Sequence, residues 1–286
     1  MYLRHRGFDL RKPLLVGILN VTPDSFSDGG QLATLDQVLR RAEELMRDGA
    51  DLLDLGGEST RPHAAAVSPT QEAERVLPAV EALARRLDVP LSVDTRRSEI
   101  AQAALDLGAA MINDVSGFSD PLMGEVVARA GAAWVLMHMP HAVGQMAPSQ
   151  RVDALPADPL AAITEIAAAL GQAAVRAEAA GVARGQLAID PGIGFGKSLQ
   201  QNLALLRRSG ALARLGLPLY LGPSRKSFLG AITGTPVEDR LGATAAAVTA
   251  AVLAGAAFVR VHDVHVMRQV LDVAAAIRDA ATETTC

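Results

Sequence analysis

The sequence is poor in the residues on which several classes of protein depend. Its single cysteine, Cys286, excludes a disulfide framework and a cysteine-based metal site. Aromatic residues are only 3% of the chain, so stacking platforms for nucleic-acid bases are not expected. Lysine and arginine are scattered through a chain of formal net charge −4, which leaves no basic stripe for a nucleic acid.

Long hydrophobic segments are also missing. The basic start, MYLRHRGFDLRK, is not followed by the apolar segment of a signal peptide. The longest apolar run, residues 245–259, is rich in alanine and too weakly hydrophobic for a membrane span. We therefore expect a cytoplasmic protein that binds neither nucleic acid nor a membrane.

Apolar residues are half of the chain, and they fall into a regular alternation. Short β-branched or leucine-rich runs predict eight strands, at residues 14–21, 52–57, 91–95, 111–116, 134–139, 187–191, 217–222 and 258–262. Helical spacing lies between them, at residues 35–48, 71–87, 98–107, 122–129, 159–180, 200–208 and 243–254. Glycine turns from helix into strand are typical of parallel βαβ units. The pattern predicts one (β/α)8 barrel domain over residues 1–286, an α/β fold with a short N-terminal extension.

Polar residues follow the carboxyl end of every predicted strand. They include Asn20, Asp94, Asn113, His138, Asp190, Lys226, Arg260 and His262, together with the loop GGESTRP after the second strand. In a barrel these ends meet on one face, and polar groups are costly to bury there without partners. We therefore expect a ligand pocket on this face.

Two carboxylates and an amide indicate the kind of ligand. Asp94, Asn113 and Asp190 suit an edge rich in N–H donors, such as an amidine-like heterocycle, because a carboxylate accepts two such bonds in a fork. The alternative is that each aspartate bonds only to nearby backbone amides. The segment GFGKS lacks the first glycine of a phosphate-binding P-loop, so Lys197 is expected to lie in solvent.

The segments LGPSRKSFLG and FVRVHDV indicate an anion site. Arg225 and Lys226 lie between an apolar strand and an apolar pair, which favours binding over a solvated position. Alternation points Arg260 and His262 into the barrel, where they need an anionic partner; a buried Arg–Asp structural pair is the alternative. His262 and His265 turn apart, so a metal held by both is not expected. No nucleophilic triad is evident.

Together, eight motifs resemble those of the dihydropteroate synthase family of the folate pathway. They occur in the family's order over residues 14–264: GILNVTPDSFSDGG, GADLLDLGGESTRP, SVDT, INDVSG, LMHM, DPGIGFGK, SRKSFLG and VRVHDV. One departure is His63, which stands where the family usually has glycine after STRP. The resemblance implies a pterin-binding barrel and a transferase. The implied reaction condenses 6-hydroxymethyl-7,8-dihydropterin diphosphate with p-aminobenzoate, giving 7,8-dihydropteroate and diphosphate by an SN1-like route.

The resemblance also implies roles for individual residues. The pterin would be bound by Asp94, Asn113, Met137, Asp190, Phe195, Gly222, Lys226 and Arg260. The diphosphate would be held by Asn20, Thr60, Arg260 and His262, with Asn20 also a ligand of Mg2+. The p-aminobenzoate would be bordered by Phe26, Arg61, Pro62 and Ser224. Catalysis would fall to Asp94, Lys226, Arg260 and His262, in a homodimer.

Two alternatives remain at this stage. A methyltetrahydrofolate–corrinoid methyltransferase shares the Asp–Asn–Asp pterin clamp but has no reason to keep SRKS and RVHD. A non-catalytic pterin-binding paralogue would bind without turnover. We further expect the loop of residues 22–30 to close over the site, because lids that exclude water come from weakly held segments.

Overall fold

The computed structural model describes residues 1–3, 6–21, 35–58, 67–140 and 155–280. A short antiparallel pair, β1 (Tyr2–Leu3) and β2 (Arg6–Gly7), precedes the main sheet. The eight strands of that sheet are β3 (Leu14–Asn20), β4 (Leu52–Gly56), β5 (Leu91–Asp94), β6 (Met111–Asp114), β7 (Ala133–Met137), β8 (Leu187–Asp190), β9 (Tyr220–Leu221) and β10 (Phe258–Val261). All eight lie within predicted strands, apart from one residue at the start of β7.

The helices alternate with these strands. They are α1 (Leu35–Arg47), α2 (Pro69–Arg86), α3 (Ser98–Asp106), α4 (Met123–Ala130), α5 (Pro159–Ala179), α6 (Leu199–Arg208), α7 (Ser227–Thr233), α8 (Leu241–Leu253) and α9 (Val264–Ala280). The sequence analysis predicted neither α7 nor α9. Helix α7 has only two turns, too few to show a period. Helix α9 follows the last strand, and its buried residues Val264, Met267 and Leu271 do recur at helical spacing, so this signal was missed. Within the described ranges, α5 alone has the length and apolar composition of a membrane span, but one face of it is buried in the protein.

The main sheet is parallel and closes on itself. Neighbouring strands run in the order β8-β7-β6-β5-β4-β3-β10-β9. A bridge between Ile189 and Leu219 joins the two ends of this order, and the Ile189 amide donates to the Pro218 carbonyl at 2.9 Å. The predicted (β/α)8 barrel is confirmed. Strand β9 is shorter than predicted, because Leu219 contributes only this bridge and Gly222 and Pro223 end the pairing.

Alternation along each strand separates two apolar layers. Odd-numbered β3 residues such as Leu15 and Leu19 pack outward against the helices. Val16 instead joins an interior cluster with Leu52, Tyr220 and Phe258 from other strands. This interior cluster fills the lower part of the barrel. The inward positions above it, towards the carboxyl ends of the strands, carry the polar residues.

Helix ends follow local sequence rules. The hydroxyl of Ser68 accepts from the Gln71 amide, and the Gln71 side chain accepts from the Ser68 amide, which is a complete capping box before α2. Pro69 occupies the first turn, where its missing N–H is not needed. At the other end of such a unit, Gly131 terminates α4 with φ 62°, a conformation that favours glycine.

Replacing Ser68 by alanine is expected to lower the free energy of unfolding by about 1 kcal/mol, because the first turn of α2 loses its side-chain acceptor. Thr164→Ala is the matched control, since that hydroxyl bonds to the Leu160 carbonyl of its own helix and contributes little. Urea unfolding of both variants measures the difference. Equal stability of the two would contradict the assigned cap.

Candidate active site

Strand register places four inward residues side by side at the top of the barrel. Asn20 is level with Gly56, Gly56 with Asp94, and Asp94 with Asn113. Gly56 leaves room between its neighbours: a Cβ built there would lie 3.6 Å from the Asp94 Cβ and 3.9 Å from the Asn20 Oδ1. Further round, Met137 is level with Asp190. The predicted pterin and diphosphate residues on these strands therefore share one rim.

A buried carboxylate that the motif reading did not single out lies just below this rim. Asp54 Oδ2 accepts from Arg260 Nε at 2.6 Å and from Asn113 Nδ2 at 3.0 Å. Arg260 Nη2 also donates to Asp94 Oδ2 at 3.1 Å. The sequence signal was available, because LLDLG places one charge at an inward position of an apolar strand. Asp54 thereby fixes the orientation of two predicted ligand-binding side chains.

Arg260 therefore satisfies both interpretations that the sequence left open. It forms a buried Arg–Asp structural pair, yet its second partner, Asp94, belongs to the rim. The two carboxylates raise the pKa of the guanidinium further above its usual value, although burial opposes them. The group stays charged at every relevant pH.

The pKa values of the two rim aspartates, Asp94 and Asp190, lie close to neutral pH. Burial raises the pKa of Asp94 to about 7, against the opposing effect of the Arg260 charge. Burial likewise raises the pKa of Asp190 to about 6, although its Oδ1 accepts a 2.7 Å hydrogen bond from the Gly192 amide. The backbone-bonded alternative for Asp190 is thus correct for one of its oxygens. A ligand with N–H donors would favour the ionised form of both groups.

A lysine and an aromatic ring form the opposite wall. The Lys226 ammonium lies 3.7 Å from the centre of the Phe195 ring, a cation–π contact. The close approach depends on Gly194, where a Cβ would lie 2.7 Å from the Lys226 Cδ. Burial lowers the pKa of Lys226 to about 8, and Asp190 opposes this effect. Gly222 is less crowded, because a Cβ built there would lie at an ordinary contact distance of 3.8 Å from the Arg260 Cβ.

The SRKS turn connects this wall to the last strand. The Ser224 hydroxyl lies 3.0 Å from His262 Nδ1 and accepts from the His262 amide at 3.2 Å. Arg225 adopts a positive φ of 56°, and its guanidinium pairs with Asp263. This pair offsets part of the charge of Arg225 beside the site, so a structural contact exists there, and the binding role expected for Arg225 stays a prediction.

The expectation that Lys197 lies in solvent is wrong. Its side chain is completely buried, and its ammonium donates to the carbonyls of His138 and Phe195. Periodicity and motif comparison could not show this burial, because it depends on two loops that come together only in the folded barrel. Four other predicted residues, Phe26, Thr60, Arg61 and Pro62, lie outside the described residues, as does the proposed closing loop.

The arrangement favours an anion and a donor-rich heterocycle side by side. Within the described ranges, no three His, Cys, Asp or Glu side chains form a metal-binding group. Mg2+ often takes only one or two protein ligands and draws the rest from water and substrate phosphates. The Asn20 amide oxygen, at the rim beside Asp94, fits that limited role.

Comparisons with known proteins agree with this geometry. The family model for pterin binding enzymes matches residues 16–262. The dihydropteroate synthase of Synechocystis sp. is 42% identical over 269 residues, covering 93% of this chain and 91% of that protein. A Yersinia pestis dihydropteroate synthase solved with a sulfonamide drug is 40% identical, with TM-score 0.89 over 98% of this chain and 99% of that one. A Xanthomonas albilineans dihydropteroate synthase in complex with 7,8-dihydropteroate is 39% identical, with TM-score 0.83 over 95% of each chain.

Replacing Arg260 by methionine is expected to lower the free energy of unfolding by about 3 kcal/mol near pH 7, because two buried carboxylates lose their cation. Arg85→Met is the matched control, since the exposed Arg85–Glu81 pair contributes about 0.5 kcal/mol or less. Chemical unfolding of both variants tests this. A loss no greater than the control's would show that Asp54 and Asp94 do not depend on this guanidinium.

The raised pKa values of Asp94 and Asp190 predict a pH dependence for the ligand-free protein. Their folded pKa values exceed the unfolded value, so their stabilising contribution is complete below about pH 4 and is lost as the pH rises through 6 and 7. Asp190→Asn should reduce this fall in the free energy of unfolding, and Asp279→Asn, at an exposed site, should not. Unfolding at about pH 5 and pH 7 measures it. An unchanged slope in Asp190→Asn would contradict the assignment.

Proposed function

Because the chain belongs to the dihydropteroate synthase family of pterin-binding enzymes, we propose that the side chains on the rim of its barrel carry out the family's condensation. The enzyme is a transferase that joins 6-hydroxymethyl-7,8-dihydropterin diphosphate to p-aminobenzoate, releasing diphosphate and 7,8-dihydropteroate. The observation that carries the residue assignment is the cluster of Asp94, Asn113, Asp190 and Lys226 around one space, with Arg260 beside it.

The pterin fits the rim by its hydrogen-bonding pattern. Its amidine-like edge presents N–H donors to the carboxylates of Asp94 and Asp190. Asn113 offers its amide oxygen, because its Nδ2 already donates to Asp54. The ring faces then contact Met137, Phe195 and Gly222, of which Phe195 is also covered by the Lys226 ammonium. Binding of the N–H donors stabilises both aspartates in their ionised form.

The diphosphate fits the part of the rim where the neighbouring strands β3 and β10 end. Arg260 contributes a permanent positive charge, and the His262 imidazole lies two residues beyond it. When the Ser224 hydroxyl donates to Nδ1, the imidazole proton lies on Nε2, which becomes the ring's donor towards a phosphate oxygen. Asn20 would hold Mg2+ together with the diphosphate, and the cation would neutralise charge on the phosphate oxygens.

The main catalytic task is to help the diphosphate leave, rather than to make the aniline nitrogen a stronger nucleophile. Arg260 and His262 stabilise the negative charge that develops on the leaving group. Positive charge on the pterin methylene spreads into the ring, where the carboxylates of Asp94 and Asp190 favour it. The aniline nitrogen then forms a bond to the methylene carbon and loses one proton to the departed diphosphate or to water. No covalent intermediate with the protein is needed, so Ser224 serves as a border of the p-aminobenzoate site and as the partner of His262.

The p-aminobenzoate side is supported by relatives. The Yersinia pestis protein is described with a sulfonamide drug and a second Xanthomonas albilineans structure with 4-aminobenzoic acid. We assign Phe26, Arg61, Pro62 and Ser224 to this side. A cytoplasmic homodimer is also proposed, supported by exposed apolar residues on the adjacent helices α8 and α9, including Leu253, Val273 and Ile277.

A coupled assay of diphosphate release tests the proposal. We expect release only when both the pterin diphosphate and p-aminobenzoate are present, and a loss of roughly 100-fold in kcat/KM for Asp94→Asn, because a charge-assisted contact to the pterin is removed. Asp279→Asn should retain full activity. Intact pterin binding without any release would overturn the synthase and favour the non-catalytic paralogue.

A further inference from the structure

The chain contains only three lysines, and two of them lie at the proposed site. Lys12 is exposed near the start of the chain, whereas Lys226 contacts the Phe195 ring. The third, Lys197, has no solvent exposure. No step of the condensation described above uses it. A completely buried ammonium is costly unless hydrogen bonds and an opposite charge compensate it, so its presence calls for an explanation.

The hydrogen bonds of Lys197 join two loops. Its Nζ donates to the Phe195 carbonyl at 3.0 Å and to the His138 carbonyl at 3.3 Å. His138 follows β7, and its own amide donates to the Asp190 carbonyl at 2.8 Å. Phe195 lies in the loop after β8. The ammonium therefore connects the ends of two neighbouring strands directly beside the pterin residues.

The surroundings select a compact cation. A Cβ built at Gly192 would lie 3.0 Å from the Lys197 Nζ and in collision with the His138 carbonyl oxygen, so only glycine allows this approach. Asn202 holds the same loop from the other side. Its Nδ2 donates to the Lys197 carbonyl at 3.0 Å, and its Oδ1 accepts from the Gly194 amide at 2.7 Å. Arginine is not equivalent to lysine at such a site, because its guanidinium is larger and planar.

The charges around Lys197 connect it to Asp190. Burial lowers the pKa of Lys197 to about 7, Asp190 opposes this effect, and Lys226 adds to it. In return, Lys197 is one of three cations that lower the pKa of Asp190, with Lys226 and Arg260. His138 adds no competing charge, because burial and then the Lys197 ammonium lower its pKa to about 3.

We propose that Lys197 is a positioning residue of the pterin site, which fixes the loop that carries Phe195 and supplies a positive charge to Asp190 without contacting the substrate. The inference rests on the proposed assignment of Phe195 and Asp190 to the pterin. It predicts two separable effects. Loss of the hydrogen bonds displaces Phe195 at every pH. Loss of the charge weakens the binding of the pterin by the Asp190 carboxylate only at pH values where Lys197 is protonated in the unmodified enzyme.

Two substitutions at Lys197 separate these effects. Lys197→Met removes donors and charge, and Lys197→Gln keeps a donor for one carbonyl without the charge. At about pH 6.5 we expect both variants to raise KM for the pterin diphosphate roughly tenfold or more, with little change in KM for p-aminobenzoate. Above about pH 8.5 Lys197 is neutral in the unmodified enzyme, so Lys197→Gln should approach its KM and Lys197→Met should not.

Lys12→Met is the matched control and should behave as the unmodified enzyme at each pH. Diphosphate release by the unmodified enzyme tests the proposed function separately, so a failure of that function is distinguishable from a failure of this inference. Equal losses for both substrates at all pH values, or no loss at all, would overturn the positioning role. So would failure of both Lys197 variants to fold, judged by circular dichroism, because it would assign Lys197 to stability alone.

A spectroscopic measurement tests the charge directly. With 13C label at the lysine Cε, three resonances are expected, and Lys12→Met and Lys226→Met assign the third by elimination. The Lys197 resonance should titrate near neutral pH, and its pKa should rise when a pterin without diphosphate binds, since the ligand stabilises the Asp190 carboxylate. A Lys197 pKa that pterin leaves unchanged would contradict coupling to Asp190.

Discussion

The buried guanidinium of Arg260 is the interaction on which the site depends. It lies between Asp54 and Asp94, and Asp54 also accepts from Asn113. Without Arg260 the two carboxylates would face each other in a barrel interior that can solvate neither. The same ion pairs that hold the ligand-binding side chains in place also cross the barrel interior, because they join β10 to β4 and β5, which are not its neighbours in the sheet.

Above this cluster, four titratable groups of the site have pKa values far from their ordinary ones. Burial is the main cause in each case: it raises the pKa values of Asp94 and Asp190 and lowers those of Lys197 and Lys226. All four pKa values converge on the region from about 6 to 8. The ligand-free site therefore has its greatest electrostatic cost near neutral pH, where all four groups tend to carry charge. A pterin with N–H donors relieves that cost, which couples binding to the charge state of the rim.

Several site residues could be predicted from the sequence because each stands at the end of an apolar strand. Asp94, Asn113 and Asp190 end apolar runs, and the structure places them on one rim, as their position at the strand ends predicts. Asp54 carried the same signal but lies within its strand, so a search of strand ends passed over it. The pairing of Arg225 with Asp263 could not be read from the sequence, because the two residues are far apart in the chain and meet only in the folded barrel.

The sequence by itself determined the alternation of strands and helices, the barrel that follows from it, and the position of polar residues at the strand ends, because periodicity and turn residues act over a few neighbouring positions. Only the tertiary structure decided which charges meet. Lys197 shows the difference: its segment, GFGKS, is polar and rich in glycine and predicts exposure, yet two strand ends distant in sequence enclose its ammonium. Burial and charge pairing depend on contacts between residues far apart in the chain, and no local pattern records those contacts.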